Sequence, residues 1–135
     1  VHTAENLLRA AHTAMYRAKT LGQAQYAVFA PGMLEEAANQ FTLEAELRQG
    51  IANQEFVLYY QPLLSLETGA IAGFEALVRW QHPQKGLIPP FKFIPLAEET
   101  GLIVPLGQWI LQAACQQAVH WRSQFPQQPL IISVN

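Results

Sequence analysis

The stretch Ala70-Ile71-Ala72-Gly73-Phe74-Glu75-Ala76-Leu77-Val78-Arg79-Trp80 decides the fold. It is apolar apart from one acid and one base, and turn residues precede it, so it reads as a strand. Side chains alternate along a strand, which puts Gly73, Glu75, Leu77 and Arg79 on one face. Phe74, Ala76, Val78 and Trp80 take the other. Just upstream, Phe56–Leu66 is a second aromatic-rich strand, broken by Pro62, and Glu67-Thr68-Gly69 makes the turn of a hairpin. Downstream, residues 81–90 are rich in Pro and Gly and predict a loop. Phe91–Thr100 predicts a short helix ended by Gly101. A long helix follows from Pro105 to about Phe125, with Leu106, Trp109, Ile110, Ala113, Ala114, Ala118 and Trp121 in register. Pro126 and Pro129 break it, and Leu130–Asn135 begins another strand. Strand, helix, strand behind a leading hairpin strand is how an α/β barrel starts.

Further upstream, residues 3–20 read as an amphipathic helix with Leu7, Leu8, Ala11, Met15 and Ala18 on one stripe. Thr3 is its N-cap, Glu5 suits the first turn, and Gly22 stops it. Gln25–Phe29 alternates like a short strand, ended by Pro31-Gly32. Met33–Gln40 predicts a helical connector, and Phe41–Ala52 a second short helix. Residues 1–32 hold too little to bury their own apolar face and should end a larger unit. The expected organisation is therefore 1–32, a connector 33–40, and a separate α/β unit 41–135.

Half of the 135 residues are apolar and 13% are charged, which excludes disorder. The net charge is −2 and no basic run occurs, so a nucleic-acid polymer is excluded as partner. A small phosphodiester needs only one or two placed cations and is not excluded. Cys115 is the lone cysteine: it forms no internal disulfide, is expected to pack inside a helix, and fits a reducing compartment. No secretory signal is visible, and every apolar stretch breaks well before ~20 residues. Any membrane link would come from segments outside this chain. His2, His12, His82 and His120 have no zinc-ligand spacing and predict surface or packing roles.

Glu75 and Arg79 lie roughly 13 Å apart along one strand face at ~3.3 Å per residue. Their side chains can reach one ligand at the strand's C-terminal end, where an α/β barrel keeps its site, or form a structural ion pair. Asn135, at the end of the last strand, can coordinate a hard cation through its side-chain oxygen or cap a turn. Gln61 before Pro62 can donate to a base or phosphate, or simply end its strand.

The runs Tyr59-Tyr60-Gln61-Pro62 and Gly73-Phe74-Glu75-Ala76-Leu77-Val78-Arg79-Trp80 resemble the opening of an EAL domain, with Glu75-Ala76-Leu77 as the naming triplet. The similarity continues through His82-Pro83, Gly86-Leu87-Ile88, Phe93-Ile94-Pro95-Leu96-Ala97-Glu98, Gly101-Leu102-Ile103 and Ser133-Val134-Asn135, over about residues 40–135 in the family's order. Lys92 departs from the acid usual there, at an expected surface position. The resemblance implies a TIM-like barrel that hydrolyses cyclic di-GMP to linear pGpG with two Mg²⁺ or Mn²⁺ ions, in bacterial second-messenger signalling in the cytoplasm. It makes Glu75 and Asn135 catalytic metal ligands, and Gln61, Leu77 and Arg79 substrate contacts. It also implies a homodimer through the EAL domain.

Ala14-Met15-Tyr16-Arg17-Ala18-Lys19 and Gly22 resemble the end of a GGDEF domain, the α/β cyclase fold that often precedes an EAL domain. His12 and Gln23 depart from that pattern, and Lys19 reads as a solvated helix lysine. The whole chain then reads as a partial barrel preceded by the terminal helix and strand of a GGDEF-like domain. A full (β/α)₈ barrel takes ~250 residues, so the remaining barrel and its further metal ligands would lie outside this chain. The second reading is a receptor that binds cyclic di-GMP without hydrolysis.

Overall fold

The computed structural model describes residues 3–22 and 26–135. They form two compact units, Val1–Leu43 and Glu44–Asn135. In the first, α1 (Ala4–Thr20) begins at Thr3, whose hydroxyl accepts from the Asn6 amide at 3.3 Å, with Glu5 in the first turn. Gly22 follows the helix at φ +122°, a conformation that costs a Cβ-free residue little. The apolar stripe of α1 meets solvent: Leu7, Leu8 and Met15 are exposed, and only Ala14 is buried. The strand expected over Gln25–Phe29 does not form across Tyr26–Phe29, which is irregular, while Gln25 lies outside the described residues. A strand needs a partner for its backbone groups, and among the described residues no other strand lies in this unit.

The expected connector and second short helix are one helix, α2 (Gly32–Ala52). From Met33 to Gln49 no Gly or Pro intervenes, and the run is rich in Ala, Glu, Leu and Gln, all good helix formers. Its final turns belong to the second unit.

That second unit is built on a four-stranded sheet. β1 (Phe56–Leu64) pairs antiparallel with β2 (Ile71–His82) around the Ser65–Ala70 turn, where Gly69 stands at φ +69°. Pro62 is tolerated because β1, among the described residues, pairs on one side only. Residues 81–90 are not all loop. β2 continues to His82, Gly86 turns the chain at φ +72°, and β3 (Gly86–Ile88) pairs back on Trp80–His82. Three residues are too few for alternation to reveal a strand. Pro90 opens α3 (Pro90–Thr100), which Gly101 closes in the left-handed conformation. α4 (Ile103–Gln124) then returns the chain to β4 (Ile131–Val134), parallel to β2.

The outer face of β2 faces the helices. Trp80, Phe93, Leu47 and Leu106 are fully buried. Phe56 stacks on Trp80 at 5.6 Å and meets the edge of Phe93 at 5.5 Å, offset geometries that aromatic rings favour. The Trp80 indole N–H donates to Glu55 Oε2 at 2.9 Å, so the buried ring leaves no orphan donor. Along α4 the buried line is Leu106, Ile110 and Ala114. Cys115 is exposed, contrary to the packing role expected of it. It follows Ala114 by one residue, about 100° around the helix and off the buried line.

Candidate functional site

The inner face of the sheet is built row by row from strand register. Gln61 lies directly opposite Glu75, and Glu75 lies beside Ser133 of β4. The next row has Tyr59 opposite Leu77, and the one beyond has Val57 opposite Arg79. Paired residues project to the same side, so Gln61, Glu75, Leu77 and Arg79 share this face. Asn135 follows β4 directly, two residues past Ser133.

β3 pairs with the far end of β2 and β4 with Gly73–Ala76. Both lie on the edge opposite β1, since Trp80 pairs with Phe56 on one side and Ile88 on the other. The edge of β2 at Leu77–Arg79 between them is unpaired among the described residues. A hollow of about 570 Å³ opens there, flanked by α3 and α4, and Leu77, Arg79 and Asn135 line it. Its wall is mostly aliphatic, and Arg79 and Glu98 are its charged members. Glu75 does not line the hollow. It stands one row back, half-buried, between Gln61 and Ser133.

Of the two readings of Glu75 and Arg79, the internal ion pair does not form. Arg79 Nη1 donates instead to the Val78 carbonyl at 2.8 Å, and its guanidinium carbon lies 5.6 Å from the Tyr59 ring centroid. Glu75 has no ion pair or hydrogen bond among the described residues, so its carboxylate is uncommitted. Among the described residues no three His, Cys, Asp or Glu side chains converge as a metal cluster. Glu75 and the Asn135 carbonyl oxygen are two hard donors, of the kind Mg²⁺ and Mn²⁺ prefer.

On the opposite face Tyr60 meets Trp121 edge-on at 4.9 Å, and burial pushes its phenol above the ordinary tyrosine range. His82 is buried, with Nδ1 accepting from the Gln84 and Lys85 amides at 3.1 Å each and Nε2 3.6 Å from Glu46. It pins the β2–β3 turn, while His12, His120 and Lys92 are exposed. Sequence reasoning missed Tyr59 and Glu98. Tyr59 carried a usable signal, since it sits two residues before Gln61 and therefore on the same face.

A profile of the EAL domain family matches residues 44–135. The chain is 44% identical over 118 residues to the cyclic di-GMP phosphodiesterase PdeR of Escherichia coli, covering 87% of this chain and 18% of that protein. It is 45% identical over 119 residues to the bifunctional diguanylate cyclase/cyclic di-GMP phosphodiesterase MucR of Pseudomonas aeruginosa, covering 88% and 17%. The chain thus spans less than a fifth of either relative. The MucR phosphodiesterase structure in complex with c-di-GMP superposes with a TM-score of 0.66 at 46% identity, over 70% of this chain and 38% of that one.

Proposed function

We propose, because this chain belongs to the EAL domain family, that it forms the first part of a barrel that hydrolyses cyclic di-GMP to linear pGpG. The observation that carries this reading is the shared inner face: a half-buried, uncommitted Glu75 opposite Gln61, with Leu77 and Arg79 beyond it. Its charges suit a phosphodiester. Arg79 keeps most of its guanidinium donors free for a bidentate grip on a phosphate, and Leu77 and Gln61 offer an apolar and a polar contact to the dinucleotide. Glu75 and Asn135 would hold Mg²⁺ or Mn²⁺, with the other ligands of a two-metal site supplied by the rest of the barrel. Such ions supply an activated water and neutralise charge on the phosphoryl oxygens. The names of PdeR and MucR, and the dinucleotide in the MucR complex, support the choice of substrate.

Residues 1–32 are proposed as the end of a GGDEF-like domain, residues 33–40 as the connector, and the protein as cytoplasmic. The alignment with MucR, whose name joins both activities, extends well beyond the 44–135 matched by the EAL profile. Among the described residues no helix is long and apolar enough to cross a membrane.

The test is Glu75→Gln in the full-length protein, assayed for metal-dependent turnover and for dinucleotide binding by calorimetry. The amide keeps the shape and removes the negative charge that strengthens the contact with a hard cation. Turnover should fall by more than about a hundredfold, the lower end of what one lost electrostatic group costs a site. Most of the dinucleotide affinity should remain. Unchanged turnover would remove Glu75 from the metal site. Tight binding with no turnover in the parent protein would favour the receptor reading instead.

A further inference from the structure

The hollow beside β2 depends on where one long, flexible side chain sits. Arginine has four rotatable bonds and loses rotamer entropy when held, so a guanidinium ready for an anion needs something to hold it. A carboxylate would do this, but it would occupy the donor fork and neutralise the charge. An aromatic face holds the cation through the flat side of the guanidinium and leaves the N–H edges free. Tyr59 presents its ring to the Arg79 guanidinium. It lies opposite Leu77, one diagonal step from Arg79 on the same face, within reach of long and aromatic side chains. The guanidinium carbon stands 5.6 Å from its ring centroid. Arg79 makes one hydrogen bond, to the Val78 carbonyl, so its remaining donors are uncommitted among the described residues. Tyr59 itself is 48% exposed, so its ring is not consumed by packing in the core.

We infer that Tyr59 is a positioning residue: its ring holds Arg79 at the hollow with the fork open toward a phosphate. The inference rests on Arg79 being the phosphate contact proposed above. The two are separable by a double-mutant cycle in the full-length protein, with cyclic di-GMP as probe and chelator present so that no turnover consumes it. Tyr59→Leu and Tyr59→Gln, which lack a π face, should each weaken binding about fivefold. Tyr59→Phe, which keeps the ring, should stay within about twofold of the parent. In an Arg79→Ala background Tyr59→Leu should change nothing further, because the residue it positions is gone. An equal loss from Tyr59→Leu with and without Arg79 would overturn the positioning role while leaving Arg79 as the phosphate contact. So would a Tyr59→Phe defect as large as that of Tyr59→Leu. If Arg79→Ala alone binds like the parent, the phosphate assignment fails and the inference falls with it.

Discussion

Glu75 and Tyr60 are separated by one strand pairing and by opposite environments. Glu75 projects inward, with no partner among the described residues; Tyr60 projects outward against Trp121, where burial disfavours its charged form. The direction of that shift fixes a pH dependence. The folded state holds the phenolic proton more tightly than the unfolded chain, so the contribution is complete below the ordinary tyrosine value of about 10 and is lost as pH rises through the higher folded value. Thermal unfolding followed upward from about pH 9 should therefore show the parent losing stability faster than Tyr60→Phe. Parallel curves would mean that the phenol is not held against ionisation. At this scale the sequence was informative wherever alternation along one strand was enough. The common face of Gly73, Glu75, Leu77 and Arg79 needed only the two-residue period. That Gln61 stands opposite Glu75 needed the register of the hairpin, which is set by the turn and the irregularity between Leu63 and Leu64.

Among the elements, β2 is the most constrained, because β1, β3 and β4 all pair with it. Gly73 shows how tightly. A Cβ there would run into the Ile131 carbonyl of β4, a backbone atom that cannot swing aside. Gly73→Ala should therefore cost about 1–3 kcal/mol, the range for overpacking a filled site, read as a shift in the urea midpoint. A variant as stable as the parent would mean that β4 sits further from β2. Helices were the legible elements, because caps and breakers are local: Thr3, Gly22 and Gly101 all act within a turn of their positions. What the sequence did not show was continuity and pairing. Nothing at residues 40–41 stops a helix, yet a change of composition there read as a boundary, and α2 runs through it. β3 exists only because Gly86 folds three residues back on Trp80–His82, a non-local pairing without its own periodicity. The same blindness made Tyr26–Phe29 look like a strand, since alternation cannot say whether a partner is present.

On the scale of the whole chain, the decisive quantity is unsatisfied surface. β1 offers one edge without a partner, and β4 offers another, among the described residues. Ile131 at 68% exposed and Leu64 at 60% stand on those edges, and Leu7 and Leu8 lie bare on α1. Edges of this kind pair with whatever strand is offered, and a barrel abolishes them by closing. Aliphatic side chains on them add roughly 25 cal/mol for each Å² withdrawn from water, a term that favours association of isolated chains. Residues 1–135 made alone should accordingly self-associate with rising concentration in sedimentation velocity, and should show no metal-dependent hydrolysis of cyclic di-GMP. A longer protein whose edges close into the proposed barrel should lose this open-ended association and hydrolyse the dinucleotide. A monodisperse 135-residue monomer that turns over the dinucleotide would mean that four strands and two covering helices suffice for the chemistry. In that event the metal ligands assigned to the rest of a barrel would have to be found within this chain.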